Sequence, residues 1–128
     1  MVAQTGQSYV TIQRAGRTIA FNEAAFVALG RPEALELLYD RGRSIVGLRA
    51  ASKDAEHAYQ VRHNTRGTTH MVSGELFTKY YGITADVARR WRGVMEGDVL
   101  CVDLAKPGAE VASRQGAGLP SQKAGANR

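Results

Sequence analysis

Two segments of the chain follow the same order of residue types, and this internal repeat is the strongest constraint on the fold. Residues 17–30 and 69–82 each contain a short strand pattern, a small polar residue, an early glutamate and a brief helix pattern with aromatic side chains that ends at glycine. An apolar strand pattern follows each segment, at 34–40 and 98–104. This repeat predicts an α+β, mostly β fold: a small pseudo-symmetric, barrel-like sheet with two short helices and β-hairpins.

Length and composition are those of one domain with flexible termini. The 128 residues, 44% hydrophobic and 23% charged, are enough for one modest core. We expect a flexible N-terminus at 1–8, a single β-rich domain at 9–104 with similar halves at about 10–50 and 58–104, and a disordered basic tail at 105–128. The tail is expected because it consists mainly of Gly, Ala, Ser, Gln and Pro with scattered cations. A solubilising extension and a phosphate-seeking arm both remain open for it.

The sequence has no pattern typical of a membrane or secreted protein. No apolar run approaches the roughly 18–20 residues of a spanning helix, and residues 1–8 lack the apolar centre of a signal peptide. The single cysteine, Cys101, cannot form an internal disulfide, which fits a reducing compartment. We therefore expect a cytoplasmic protein with no membrane partner.

The positive charge is concentrated at the C-terminal end. The formal net charge is +5, of which residues 1–105 contribute +2, from 13 Lys and Arg against 11 Asp and Glu, and residues 106–128 contribute +3. Because the body is nearly balanced, a basic surface on it must come from the arrangement of its charges rather than from their total.

Capping residues predict where the helices begin and end. Asn22 is a good N-cap for the first helix, and Gly30 ends it. Ser73 is the expected cap of the second helix, which ends at Gly82. Residues 84–91 are expected to add another helical turn or two.

Alternating apolar and polar residues predict two hairpins, each with an Arg-Gly dipeptide at its tip. The hairpin at 34–50 then pairs Leu37 with Val46 and has one apolar face. The hairpin at 59–73 pairs apolar with apolar and polar with polar positions when its turn has two residues. Arg-Gly is not the strongest turn pair, so a four-residue tip remains open for the second hairpin.

His63 and His70 lie opposite each other in the second hairpin and form the sharpest candidate for a metal site. Their Cβ atoms are then about 4.5–5.5 Å apart, but a metal needs three or four ligands and His57 is the only other histidine. Two stacked histidines on a half-exposed strand pair are the alternative. Metal binding by this pair stays open, and we predict no metal and no cofactor.

The chain shows no arrangement of residues that indicates catalysis. Cys101 lies in the apolar strand pattern at 99–104, which we expect to be buried on both faces, whereas a catalytic thiolate requires exposure and a cationic neighbour. No Ser/His/Asp set, Gly-rich phosphate loop or carboxylate pair can be placed. We predict that the protein is not an enzyme and has no small-molecule substrate.

Arginines at predicted tips and turns are the better binding candidates. Hairpins with cationic tips can enter a groove and contact DNA phosphates. The alternative for each arginine is an ordinary solvent-exposed charge in a turn, partly neutralised by Asp40 and Asp86. The candidate nucleic-acid contacts are Arg17, Arg43, Arg66, Arg89, Arg90 and Arg92.

Three short motifs together resemble the AbrB/SpoVT-type swapped-hairpin transcription regulators. They are Gly-Arg-Thr-Ile at 16–19, a short helix ending in Leu-Gly at 29–30, and Leu-Glu-Leu at 35–37 leading into a hairpin. Glu-Gly-Asp-Val at 96–99 resembles the Gly-Asp-Val sequence in the second half of the family motif. In that family two short chains interleave into a barrel that presents basic loops to DNA. The resemblance implies that one chain with two halves supplies both parts here, and it carries over Arg17 as a DNA contact.

Two functions are compatible with these expectations. The first is a small non-enzymatic DNA-binding module, a transcription regulator that contacts phosphates through arginines on hairpin tips and loops. The alternative is a protein-interaction or assembly module that forms a homodimer or larger homo-oligomer through exposed β-edges.

Overall fold

The computed structural model describes residues 6–111 and the short stretches 123–124 and 126–127. In chain order, its elements are β1 (Tyr9–Ile12), β2 (Thr18–Asn22), α1 (Glu23–Ala28), β3 (Ala34–Asp40), β4 (Ile45–Ala51), β5 (Tyr59–Gln60), β6 (Arg62–His63), β7 (Thr69–Ser73), α2 (Glu75–Tyr81), β8 (Arg89–Arg92), β9 (Val94–Glu96), β10 (Val99–Asp103), β11 (Ala109–Glu110), β12 (Lys123–Ala124) and β13 (Ala126–Asn127). A short 3-10 turn, Arg14–Gly16, joins β1 to β2.

The strands form two main sheets that share one core. Sheet A has the order β11-β8-β1-β2-β7-β6, and sheet B has the order β5-β3-β4-β10-β9; β12 and β13 pair only with each other. The predicted mostly β class with two short helices is confirmed. The predicted barrel is wrong: both sheets are open, because the strands at their ends do not pair with each other.

Strands from the two halves meet at the centre of each sheet. In sheet A, β2 pairs antiparallel with β7, so that Ile19 lies opposite Val72 and Ala20 opposite Met71. In sheet B, β10 pairs antiparallel with β4, and not with β3, the strand that the sequence repeat aligns with it. Of the strands that the repeat aligns, only β2 and β7 therefore pair with each other in the described residues.

Each helix contacts the hairpin of the other half, and α1 also packs on the hairpin of its own half through Phe21 and Phe26. Phe26 of α1 stacks on His70 of β7, with ring centroids 3.9 Å apart. In α2, the buried hydroxyl of Thr78 donates a hydrogen bond to the carbonyl oxygen of Gly16 in the β1–β2 turn, at 3.1 Å. The halves are therefore interleaved and share one core.

The core lies between the inner faces of the two sheets, where alternate strand residues are fully buried. Both helices contribute to it, α1 through Phe26 and α2 through Phe77. The buried strand residues of this cluster are Val10, Ile12, Ile19, Phe21, Leu35, Val46, Leu48, Val72, Leu100 and Val102. No helix in the described part of the chain is long and apolar enough to cross a bilayer.

The helix signals were predicted correctly with one exception. The Asn22 side chain accepts a hydrogen bond from the amide of Ala25 at 3.1 Å, and Gly82 ends α2 with a φ of 69°. The predicted cap Ser73 is wrong, because Ser73 is still paired with Thr18 as the last residue of β7. Gly74 occupies the N-cap instead.

The β3–β4 hairpin is shifted by two residues from the predicted register. Leu37 lies opposite Leu48 instead of Val46, and residues 41–44 form the loop. The Asp40 carboxylate accepts the amide of Arg43 at 3.2 Å, which stabilises this longer loop. A shift of two residues preserves the face of every side chain, so the predicted apolar face is retained.

The predicted hairpin at 59–73 is divided between the two sheets. Tyr59–Gln60 pairs with β3 of sheet B, whereas Arg62–His63 pairs with β7 of sheet A. Between them, the amide of Val61 donates to the carbonyl oxygen of Glu33 at 2.9 Å. His63 lies opposite His70, as predicted.

The helical turns predicted at 84–91 are wrong: residues 84–88 contain no helix, and Arg89–Arg92 is a strand between β1 and β11. Its residues alternate between half-buried and exposed, with a period of two. Through β11, sheet A continues six residues beyond the predicted domain end at 104. Apart from β12 and β13, the predicted tail after residue 111 lies outside the described residues, as do residues 1–5 of the predicted N-terminal segment.

Substituting Gly16 tests the packing of α2 on the β1–β2 turn. Gly16 has a φ of 67°, and a Cβ there would overlap the side chain of Thr78. We expect Gly16→Ala to lower the free energy of unfolding by about 3 kcal/mol, from left-handed strain and overpacking together. Urea denaturation measures the change.

Gly67 provides a matched control. It has a φ of 70°, but no other group lies within 4 Å of the position that a Cβ would take. Gly67→Ala should therefore cost only the backbone strain, about 1–2 kcal/mol. Equal losses for the two variants would show that the contact with Thr78 contributes nothing.

Candidate nucleic-acid interface

Sheet A has one face against the core and one that points away from sheet B, and we call the second the basic face. Strand alternation places Arg90 and Arg92 outward, because Trp91 lies opposite the buried Val10. The strand residues of the basic face are Tyr9, Thr11, Thr18, Ala20, Asn22, Arg62, Thr69, Met71, Ser73, Arg90, Arg92 and Ala109. None of these strand positions is acidic.

One cross-strand row shows how the charge is distributed over this face. The register aligns Arg62, Met71, Ala20, Thr11 and Arg90 on five neighbouring strands. With about 4.8 Å between adjacent strands, the Cα atoms of the two arginines are about 19 Å apart. The face therefore has an arginine on each side of a strip of uncharged side chains.

Two of the outward arginines, Arg90 and Arg92, contact uncharged partners. The guanidinium of Arg90 lies over the ring of Tyr9, 4.5 Å from its centroid, and Arg92 donates to the side-chain oxygen of Gln7 at 2.6 Å. Among the residues that the structure describes, Arg62, Arg90 and Arg92 form no salt bridge. Their charge is thus not neutralised by a neighbouring carboxylate.

Arg89 differs from its two neighbours on β8 because it points to the other side of the sheet. It lies opposite Ile12 on the inner side. Its guanidinium is 3.8 Å from the Asp86 carboxylate and donates to the carbonyl oxygen of Gly108 at 3.4 Å. These contacts connect the end of β8 to the chain on either side of it.

The other three predicted contacts lie on separate loops. Arg17 is exposed between the 3-10 turn and β2, and Arg66 is exposed in the β6–β7 loop. Arg43 lies in the β3–β4 loop of sheet B, 3.9 Å from the Asp40 carboxylate. The structure therefore brings together only Arg90 and Arg92 of the six predicted residues.

Sequence reasoning counted Arg62 among the arginines at edges and tips but did not keep it among the six predicted contacts, and it did not consider Tyr9 as a contact. The predicted pairing of His63 with His70 contained the signal for Arg62, because its neighbour on a strand must point to the opposite face. Tyr9 could be found only from the pairing of β1 with β8, which joins residues distant in sequence.

The two histidines are in contact with each other, and His70 also contacts Glu23. The Nδ1 atoms of His63 and His70 lie 2.6 Å apart, and Nε2 of His70 is 2.7 Å from Oε1 of Glu23. In the described ranges, no group of three or more His, Cys, Asp or Glu side chains is suited to hold a metal ion. The hydrogen bond with His70, and to a smaller extent the charges of His70 and Arg31, lower the pKa of the Glu23 carboxyl.

Comparison with known proteins identifies no relative. The chain matches no protein-family model, no curated protein and no solved structure. The candidate interface therefore depends on the geometry and charge of the described residues.

The thiol of Cys101 is expected to react slowly. Burial, and secondly the charge of Glu96, raise the pKa of this thiol, so it stays protonated at neutral pH. We expect Ellman's reagent to label the native protein at least about tenfold more slowly than the urea-unfolded chain, because only the exposed thiolate reacts. The chain has a single cysteine, so the signal has one source. Equal rates would contradict a covered, protonated thiol.

Proposed function

We propose that this chain is a small cytoplasmic DNA-binding module without catalytic activity, and that it acts as a transcription regulator. The observation that carries the proposal is the basic face, on which Arg62, Arg90 and Arg92 project from one sheet whose outward strand positions include no acidic residue. Phosphate contacts supply most of the affinity of such proteins for DNA, and arginine suits phosphate because its planar guanidinium donates two parallel hydrogen bonds.

The spacing of the arginines suits a double-stranded backbone. Arg62 and Arg90 are separated by about 19 Å along a cross-strand row, which exceeds the width of about 12 Å of the major groove. Their side chains can therefore reach the two phosphate backbones that border a groove. The residues between them on this row, Met71, Ala20 and Thr11, are uncharged and bring no carboxylate to the approach of the duplex.

The interleaving of the two halves supports the resemblance to the AbrB/SpoVT-type regulators. Swapped hairpins are what that resemblance implies, and here each helix packs on the hairpin of the other half. Two features differ from the family: the sheets are open, and α1 has Ala24-Ala25-Phe26 where arginines are usual. The proposed contacts are accordingly on the sheet rather than on the helix.

Removing the three outward arginines tests the proposal. We expect the combined variant Arg62→Ala, Arg90→Ala and Arg92→Ala to bind a duplex at least about tenfold more weakly, because each residue contacts a phosphate. The slope of log affinity against log salt should become shallower by roughly 0.9 for each lost contact. Fluorescence anisotropy with a labelled duplex at several salt concentrations measures both quantities.

A variant with the same change in net charge is the matched control. Arg17→Ala, Arg43→Ala and Arg66→Ala together remove three positive charges from the loops. We expect this variant to lose less affinity than the variant of the basic face. A larger loss would place the contacts on the loops, and a wild-type chain that binds no duplex at low salt would refute DNA binding.

The alternative function, assembly through a β-edge, is favoured by one observation. Strand β9 ends sheet B without a neighbour on its outer side among the described residues, and Val94 on it is 58% exposed. A second copy could add its own edge strand there.

Light scattering tests the assembly hypothesis directly. If β9 is the contact, the wild-type protein should be a dimer, and Val94→Lys should shift it to the monomer because a lysine on an edge strand opposes pairing. Circular dichroism checks that the variant keeps its fold. A wild-type protein that is monomeric at high concentration would contradict this hypothesis.

A further inference from the structure

The contact between α1 and the β6–β7 hairpin contains a continuous chain of three titratable side chains. Oε1 of Glu23 lies 2.7 Å from Nε2 of His70, and Nδ1 of His70 lies 2.6 Å from Nδ1 of His63. His70 is only 2% exposed, whereas His63 is exposed on the edge strand β6. This row of three side chains therefore runs from α1, through the buried imidazole of His70, to solvent.

Hydrogen-bonding rules determine where the protons of this chain lie. The hydrogen bond with His70 lowers the pKa of the Glu23 carboxyl, so Glu23 is ionised at neutral pH and can only accept. Nε2 of His70 must therefore carry a hydrogen. Between two Nδ1 atoms 2.6 Å apart there is room for a single hydrogen, so one ring donates and the other accepts.

This geometry admits one additional proton but not a second. When both rings are neutral, His63 donates its Nδ1–H to the bare Nδ1 of His70. One added proton leaves a cationic pair that still has a single hydrogen between the rings and lies beside the ionised Glu23. A second added proton would place an N–H group on both facing Nδ1 atoms, and two like-charged rings cannot then stay in contact.

We propose that His63 and His70 form a proton-operated latch between β6 and the rest of the fold. The latch is closed while the pair carries at most one added proton. Uptake of the second proton releases the His63 side chain and allows β6 to separate from β7. The inference does not depend on the proposed DNA binding, although Arg62, which precedes His63 on β6, places one end of the basic face on the released strand.

The charged groups around the histidine pair are themselves paired. The Glu23 carboxylate also lies 3.4 Å from the guanidinium of Arg31, so its charge is shared between two partners. Glu33 and Lys53, whose charged groups are 3.9 Å apart, line the same groove as His63 and largely neutralise each other. From β2, the ring of Phe21 faces His70, with ring centroids 5.8 Å apart.

The element that the latch holds is a short strand at the edge of sheet A. Strand β6 has two residues, and in the described chain it pairs only with β7. Its loop is closed by the amide of Asn64, which donates to the carbonyl oxygen of Thr69 at 2.9 Å. Besides the imidazole bond, His63 has an edge-on contact with the ring of Phe26. Short exposed edges of this kind open at low free-energy cost, so the loss of one strong contact is sufficient to release them.

Amide hydrogen exchange measures the opening of β6 in the free protein. We expect the protection of the Asn64 amide, corrected for intrinsic exchange, to fall about tenfold for each pH unit on the acid side of the transition, because the open state binds one more proton. The range from about pH 8 to about pH 4 covers the titration of an ordinary imidazole. In His63→Ala, this amide should exchange fast at every pH, without the acid transition.

His57→Ala is the matched control. His57 is an exposed histidine whose side chain lies 3.9 Å from Glu56, away from the latch. This variant should retain the full pH dependence. In a parallel experiment, nitrogen-15 spectra of the imidazoles should show His70 protonated at Nε2 and one hydrogen shared between the Nδ1 atoms at neutral pH.

Three results would overturn the latch. One is protection of Asn64 that does not change with pH in the wild-type protein. Another is loss of the pH dependence in His57→Ala. The third is a spectrum in which both Nδ1 atoms are protonated while β6 remains paired with β7.

Discussion

The antiparallel pairing of β2 with β7 and of β4 with β10 is the interaction on which the rest of this structure depends. Each half contributes a hairpin to sheet A and a hairpin to sheet B, and these two pairings are the central seams of both sheets. Ile19, Val72, Leu48 and Leu100 lie on the paired strands and are fully buried. Because the buried apolar residues of both halves form one cluster, the two halves should fold and unfold as one cooperative unit.

The same strand pairings place the arginines and several carboxylates of residues 1–105, whose net charge is small, on different surfaces. Several carboxylates are occupied on other surfaces: Glu36 accepts from Arg49 at 2.9 Å on sheet B, and Glu23 bonds His70 beside α1. The basic face is left with arginines at its two sides and uncharged residues between them. A net charge of +2 over residues 1–105 would not indicate such a surface. Arrangement, rather than excess charge, is what makes the face suitable for phosphates.

Local signals in the sequence were reliable where a neighbour within a few residues satisfies them. The Asn22 cap bonds an amide three residues away, and the pairing of His63 with His70 spans one short loop. The prediction failed for β8, where four residues with three arginines form a strand only because β1 and β11 supply partners on both sides. Three of the six predicted contacts lie on separate loops for a related reason: no local pattern specifies which hairpins share a face.

By itself, the sequence determined the mostly β class, the two short helices, the interior face of each hairpin and the contact between the two histidines. These properties follow from alternation, capping and turn chemistry, which act over a few residues. Only the tertiary structure decided that the sheets stay open, that Arg62 joins Arg90 and Arg92 on one face, and that Glu23 completes the chain of bonds through His70. Each of these depends on residues far apart in sequence, which come into contact when the two halves interleave.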